Sequence, residues 1–283
     1  MRQLGDCLEK TLDVDVLLKL GEKADIDVLG SVTVTADGSS QKCEAQKNAD
    51  LVLQNQFAGE KISHSAIPIR LGVAWDEAFC FYYRDNLEFL EKQGVQIVQF
   101  SPVHDKHLPD DLDGLLLGGG YPELYAKALE ENETIRNEIR RKAEEDMPIL
   151  AECGGYLYLL KELEDENGTG YEMAGVFSGK GYKKGKNSHF GYITVQTEKD
   201  SLYLKAGETI KGHEFHYWES TQDENELKMQ AKKPTGKRSW PCVTVKNQVM
   251  AGFPHLYYPS LEGFGERFVQ ACDRYRMKRK RQQ

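Results

Sequence analysis

PILAECGGYLYLL, residues Pro148 to Leu160, decides how this chain is read. An apolar run, Ile149 to Ala151, ends in Glu152 and Cys153; two glycines follow, and then a mainly apolar stretch. A short apolar run that steps through glycine into a helical pattern reads as a buried strand turning sharply into a helix. Ala151-Glu152-Cys153-Gly154-Gly155 is small–x–Cys–x–small, the pattern of a nucleophile elbow. Small residues two positions away on each side let the chain make the sharp turn that points the nucleophile into a cleft. The helix N-terminus beneath the sulfur is expected to stabilise a thiolate. The Gly154 N–H becomes a candidate donor to an oxyanion. One cysteine after an apolar strand also fits a buried structural thiol. The neighbouring strand ends must therefore decide.

Outward from this stretch, apolar runs alternate with amphipathic ones. IRLGVAW from Ile69, VQIVQFSP, LDGLLLGGG and PILAE read as strands. FCFYYRDNLEFLEKQG reads as a helix stopping at Gly94, and NETIRNEIRRKAEEDM as a helix with Asn132 as N-cap. GGYLYLLKEL reads as a helix straight after Cys153. Alternation of this kind predicts an α/β fold, a mostly parallel sheet with helices on both faces. HFGYITVQ, LKAGETIKGHEFHYWES and PCVTVKNQVMAGFPH look like strands joined by turns, and LEGFGERFVQACDRYRMKR closes with a helix. Residues 3–24 read as a short helix; Asp25 to about Ser65 is polar and turn-rich and reads as a linker.

The 283 residues are enough for a substantial core, and 40% hydrophobic with 29% charged residues is ordinary for a globular chain. Lys and Arg number 37 against 45 Asp and Glu, a net charge of −8. That balance argues against nucleic-acid and membrane-surface roles, which need basic faces. The basic run RYRMKRKR, Arg274 to Arg281, reads as a solvated tail. No apolar stretch is long enough for a membrane span and no signal-peptide core opens the chain, so a cytoplasmic location is expected. The six cysteines are scattered without a CxxC pair, which speaks against a zinc site or disulfide framework.

In an open parallel sheet, ligands sit outside the carboxyl ends of the strands. Gly118-Gly119-Gly120 and Cys153 both fall at such ends. Gly119 or Gly120 could supply a second oxyanion donor, because glycine allows close backbone approach. A thiol nucleophile needs a base, generally histidine. His64, His104 and His107 lie in loops, and His189 opens a strand. His213 and His216, three apart in KGHEFHYW, suit neither HExxH nor one strand face, and no metal is expected. His255 ends the last strand pattern, where a base for such a site belongs.

LDGLLLGGGYPELYAKAL, MPILAECGGYLYLL, GHEFHYWES and MAGFPHLYYPS, in this order, resemble the glutamine amidotransferase domain of the cobyrinate a,c-diamide synthase family. The likeness runs from about Ile69 to about Phe268, and LEKTLDVDVLLKLGEKA resembles the segment preceding that domain. The resemblance implies a class I amidotransferase, flavodoxin-like fold. It implies an amidotransferase domain over 69–268, the end of an ATP-binding synthetase domain plus linker over 1–65, and a basic tail over 269–283. It further implies hydrolysis of glutamine, with the ammonia amidating the a and c acetate groups of cobyrinate at the synthetase half, which uses ATP and Mg²⁺. Cys153 is then the nucleophile and His255 its activator, Gly119, Gly120 and Gly154 the oxyanion candidates, and Glu214 and His216 candidates for the face toward the synthetase half or the substrate.

Two departures stand out. Many class I amidotransferases place a glutamate two residues after the histidine; here Tyr257 stands there, as in the subgroup that works with a Cys–His dyad. No GxxxxGK[ST] phosphate loop occurs anywhere, so the chain carries no cofactor of its own and an ATP-binding partner domain or chain is expected. Amidases of hydrogenobyrinate or nickel-sirohydrochlorin, cobyric acid synthase, and a non-catalytic remnant of the fold remain as alternatives.

Overall fold

The computed structural model describes residues 67–184, 189–222 and 227–281. The helix and linker expected within residues 1–65 lie outside the described residues. The first part alternates strands and helices: β1 (Ile69–Ala74), β2 (Phe79–Phe81), α1 (Arg84–Lys92), β3 (Val95–Phe100), β4 (Gly114–Leu117), β5 (Gly119–Gly120), α2 (Ala126–Glu131), α3 (Glu133–Glu144), β6 (Ile149–Glu152) and α4 (Gly154–Leu159). Then come β7 (Glu162–Glu164), β8 (Gly170–Glu172), β9 (Lys180–Lys183), β10 (Phe190–Gln196), β11 (Thr209–Phe215), β12 (Trp218–Ser220), β13 (Leu227–Lys232), β14 (Ser239–Lys246), β15 (Val249–Gly252), β16 (His255–Leu256) and α5 (Phe264–Lys280).

Ten strands form one sheet in the order β16-β11-β10-β13-β14-β15-β6-β4-β1-β3. From β15 to β3 every pairing is parallel; from β14 to β16 every pairing is antiparallel. The parallel strands are apolar throughout because both faces are covered. Leu115, Leu117, Ile149, Ala151, Val249 and Ala251 point to the side of α2, α3 and α4, while Leu116, Leu150 and Met250 point to the side of α1 and α5.

The antiparallel half curls. β15 and β16 are five places apart in the sheet, about 24 Å on a flat sheet. Yet only Phe253 and Pro254 separate them in the chain, and the three Cα steps from Gly252 to His255 span at most about 11 Å. The sheet therefore bends back on itself and returns His255 to the end of β15.

Several local expectations change. Phe79–Phe81 is not helical but pairs with β5, leaving α1 to start at Arg84. α4 ends at Leu159: Leu160 is extended, and Leu160 and Leu163, both buried, serve different elements although their spacing imitates a helix. Asn132 does precede α3, but its side chain donates to the carbonyls of Pro102 and Asp105 (2.8 and 2.7 Å) rather than capping the helix. The closing helix expected up to Arg279 is present and runs from Phe264 through Lys280, so the basic run over 269–283 is not merely a solvated tail. Phe264, Phe268 and Cys272, four apart, and Tyr275 are buried along α5. The basic residues join in: Arg276 is buried against the Ile67 carbonyl (2.8 Å), and Arg279 pairs with buried Asp113 (3.1 Å). Among the described residues no helix is long and apolar enough to cross a membrane.

Candidate active site

Cys153 stands between β6 and α4 with φ 50° and ψ −103°. That backbone region is costly for a residue with a side chain and is the mark of a sharp strand-to-helix elbow. It is held from both sides. The Cys153 N–H donates to the Gly252 carbonyl (2.8 Å), its own carbonyl accepts from Leu157 (3.0 Å), and the Gly155 N–H donates to Gly118 (2.8 Å). A Cβ on Gly154 would sit 3.0 Å from the Gly120 nitrogen, so these two candidate oxyanion positions are neighbours. Tyr82 anchors the glycine run by accepting the Gly118 N–H (2.9 Å) while donating to the Ala74 carbonyl.

His255 arrives from the antiparallel half. It belongs to β16, a separate two-residue strand beyond Pro254, paired with Gly212 and His213 of β11. Its ring meets Phe81 edge-on at 4.6 Å, and a Cβ on Gly119 would lie 2.3 Å from its Cε1. Glycine is required there because the imidazole occupies the space of any side chain. Nδ1 lies 3.8 Å from Oε2 of Glu152, the residue before the nucleophile. Asn86 of α1 brackets the segment, donating to the Leu256 carbonyl (2.7 Å) and accepting from the Tyr258 N–H (2.9 Å). Cys153, Gly119, Gly120, Gly154 and His255 are thus gathered at the carboxyl ends of the parallel strands.

Residues 70–261 match the family model described as the CobB/CobQ-like glutamine amidotransferase domain. This chain belongs to that family. Cobyrinate a,c-diamide synthase of Caldanaerobacter subterraneus subsp. tengcongensis is 38% identical over 73% of the chain and 46% of that relative. The enzyme of the same name from Picrophilus torridus is 34% identical over 95% of the chain and 52% of its own length. The chain thus spans about half the length of these relatives. A crystal structure from Thermoplasma acidophilum, described as a candidate GMP synthase component, has a TM-score of 0.50 at 18% identity, covering 77% of this chain and all of that one; the likeness shows the shared fold.

The electrostatics of this glutamine amidotransferase reverse one expectation. Burial pushes the Cys153 thiol up to about 12, with Glu123, Glu214 and Glu152 adding to the rise and the Gly154 N–H opposing it. Burial above all favours the neutral thiol over the thiolate, and the N-terminus of α4, only six residues long, does not offset it. Burial also lowers His255 to about 3, so its imidazole rests neutral. A neutral thiol and a neutral imidazole suit proton transfer at the moment of attack better than a standing ion pair.

Glu214 and His216 are buried, so they form no outward face toward a partner. Glu214 accepts the Trp240 indole N–H (3.0 Å), and burial raises it to about 8. The His216 Nδ1–H donates to the Trp218 carbonyl (2.6 Å), and its ring stacks on Phe253 at 3.9 Å. With His189 they form a cluster whose ligand-type atoms lie within 4.8 Å of one another. Bonds of about 2.0–2.1 Å in a tetrahedral site put ligand atoms about 3.3 Å apart. Glu214 Oε2 and His216 Nε2 stand 4.0 Å apart, so the cluster as built is a polar network into which a divalent cation would fit only after contraction. His213 is outside it. His104 and His107 pair with Glu77 and Glu138 at the surface, as expected of loop residues (2.8 and 2.9 Å); His64 lies outside the described residues.

Sequence reasoning missed Asn86, Glu123 and Glu152. Glu152 had a signal, a carboxyl group closing an otherwise apolar buried strand, which is anomalous unless the group has work to do. Glu123, buried and raised to about 7 by that burial, stands three residues after Gly120. Asn86 had none, because both its partners are about 170 residues away.

Proposed function

We propose that the chain is the glutamine-hydrolysing part of a cobyrinate a,c-diamide synthase, supplying ammonia for amidation of the a and c carboxylates. The observation that carries this is Cys153 at a strained elbow, with His255 seated on Gly119 at the adjoining strand end. The names of its relatives supply the substrate. Cys153 Sγ attacks the side-chain amide carbon of glutamine as its proton passes to Nε2 of His255. The carbonyl electron pair moves onto oxygen, where N–H groups of Gly154 and of Gly119 or Gly120 receive it. Collapse breaks the C–N bond, and the Nε2 proton leaves with ammonia. His255 then takes a proton from water, whose oxygen adds to the thioester carbon; the C–S bond breaks to give glutamate, and the Nε2 proton returns to Cys153 Sγ.

Amidation needs ATP and Mg²⁺, whose phosphate-binding loop this sequence lacks. They act at an ATP-binding half, carried by a partner chain or by further sequence of a longer protein. The purified chain is expected to release glutamate from glutamine and to lose that activity when a glutamine-shaped diazoketone alkylates Cys153, located by mass spectrometry. It should bind Mg-ATP weakly by calorimetry and fail to amidate cobyrinate even with ammonium. Labelling confined to Cys80, the exposed thiol among the described residues, or ATP-dependent amidation by the chain alone, would overturn this reading.

A further inference from the structure

A histidine that takes a proton at Nε2 must carry its own proton at Nδ1, and whatever faces Nδ1 sets that choice. Tyr257, two residues after His255, does not serve: its hydroxyl donates to Asp85 at the surface (3.3 Å). Nδ1 of His255 is buried without a hydrogen-bond partner. Glu152 Oε2 lies 3.8 Å from it. Oε1 of the same carboxyl group is already fixed, accepting from the Tyr258 hydroxyl (3.0 Å) and the Leu256 N–H (3.3 Å). The segment that carries the imidazole therefore also aims the carboxyl group, and a shift of about 1 Å closes a hydrogen bond. Such contacts are commonly long before substrate binds. Among the described residues Glu152 forms no ion pair with Lys or Arg, and Tyr258 and Leu256 occupy only its Oε1, which leaves Oε2 facing His255.

We propose that Glu152 is the positioning residue for His255: its Oε2 accepts the Nδ1–H and keeps Nε2 free for the Cys153 proton. The third member of the relay then comes from the residue before the nucleophile, not from two residues after the histidine. This deepens, and rests on, the reading of Cys153 and His255 as the glutaminase pair. When Sγ–H passes its proton to Nε2, the imidazolium keeps its Nδ1–H, and the ionised carboxylate meets the new charge in a buried site.

The state of Glu152 then sets the pH response. Burial raises the carboxyl group to about 8. Below that, Oε2 can carry the proton and donate it to Nδ1, which leaves Nε2 protonated and unable to accept from Cys153. The other titratable groups around the pair are Cys153, Tyr82, Tyr83 and Tyr258 near Glu152, and His213 and His216 near His255.

The test uses the full chain labelled with ¹⁵N-histidine, with His255→Gln assigning the ring signals. Above pH 8.5 the wild-type spectrum should show Nε2 of His255 without a proton. Glu152→Gln keeps an acceptor for Tyr258 and Leu256 but turns an NH₂ toward Nδ1. It should move the proton to Nε2, lower kcat by about 10²-fold, leave KM within about threefold, and remove the ascending pH limb. Glu152→Asp, which keeps the charge, should restore part of kcat. A wild-type ring protonated at Nε2 above pH 8.5, or a Glu152→Gln chain that keeps both tautomer and kcat, overturns the proposal. If Glu152→Gln does not fold, the wild-type spectrum alone decides. A tautomer switch in a chain without glutaminase activity would sink the functional reading and leave the positioning role standing.

Discussion

Cys153 and His255 meet at one place but are put there by different physics. The parallel half presents Cys153 through its main chain: a positive φ, backbone hydrogen bonds to Gly252 and Leu157, and glycines at the contacts. The antiparallel half presents His255 through side chains from elsewhere: Asn86 holding Leu256 and Tyr258, Phe81 against the ring, and Glu152 beside Nδ1. A site half built of backbone and half of brackets should fail in two distinguishable ways.

The largest effect belongs to the nucleophile. Cys153→Ala should lower glutaminase activity by roughly 10⁴-fold or more. Cys153→Gly should be equally inactive yet more stable than Cys153→Ala by about 1 kcal/mol, because glycine adopts this backbone without strain. Urea unfolding of the two variants measures the difference. An alanine variant at least as stable as the glycine variant would mean that the elbow stores no strain, and the main-chain side of the contrast would collapse.

Gly119→Ala joins the two halves. Its Cβ would stand 2.3 Å from Cε1 of His255, so the ring must move. A displacement of about 1 Å can cost roughly 10²-fold in rate. Glutamine hydrolysis should fall by that order, and alkylation of Cys153 by a small electrophile should slow with it, because the buried neutral thiol gives up its proton to that ring. Unchanged rates of both reactions would mean that the imidazole does not sit on Gly119.

Asn86→Ala attacks the bracket alone. It leaves the Leu256 carbonyl and the Tyr258 N–H buried and unpaired, each worth about 1–3 kcal/mol. Stability should drop by about 3 kcal/mol and activity by about tenfold, through His255 rather than Cys153. Asn86→Asp, which keeps the acceptor and loses the donor, should show about half the stability loss. A drop under about 0.5 kcal/mol in Asn86→Ala would show that the curl of the sheet places His255 unaided.

The same contrast explains what could be read in advance. β4, β6 and β15 were legible because strands buried on both faces are uninterrupted apolar runs, and the elbow was legible because its small residues are adjacent in sequence. His255 could be read as a strand end and through family resemblance, but not its surroundings. Asn86 acts on Leu256 across 170 residues and Glu152 on Tyr258 across 106, and no local pattern encodes such separations. The basic run after Phe268 misled for the opposite reason: its charges are a strong local signal, but α5 turns Arg276 inward to a backbone carbonyl. The thiolate expectation failed because burial outweighs a six-residue helix.

The smallest expected effect concerns those carboxyl groups, two in the parallel half and one in the antiparallel half. Burial raises Glu123 to about 7 and Glu152 and Glu214 to about 8, from an ordinary 4.5. Between about 4.5 and those values the folded chain binds more protons than the unfolded one, so stability falls as pH rises, by at most about 1.4 kcal/mol per unit per group. Burial lowers His255 to about 3 and His189 to about 4, from 6.5, and these give the opposite slope: stability lost as pH falls below 6.5. With His216, which burial also lowers, three histidines oppose the three carboxyl groups between about 4.5 and 6.5, giving a plateau, and above 6.5 the carboxyl groups act alone. Melting temperature against pH should therefore be flat to about 6.5 and decline toward 8. Glu214→Gln, which preserves an acceptor for Trp240, should flatten that decline up to pH 8, whereas Glu123→Gln should flatten it only to about 7. An unchanged curve in Glu214→Gln would mean that this carboxyl group titrates alike in the folded and unfolded chain. The antiparallel half would then contribute His255 to the site and no carboxyl group that answers to it.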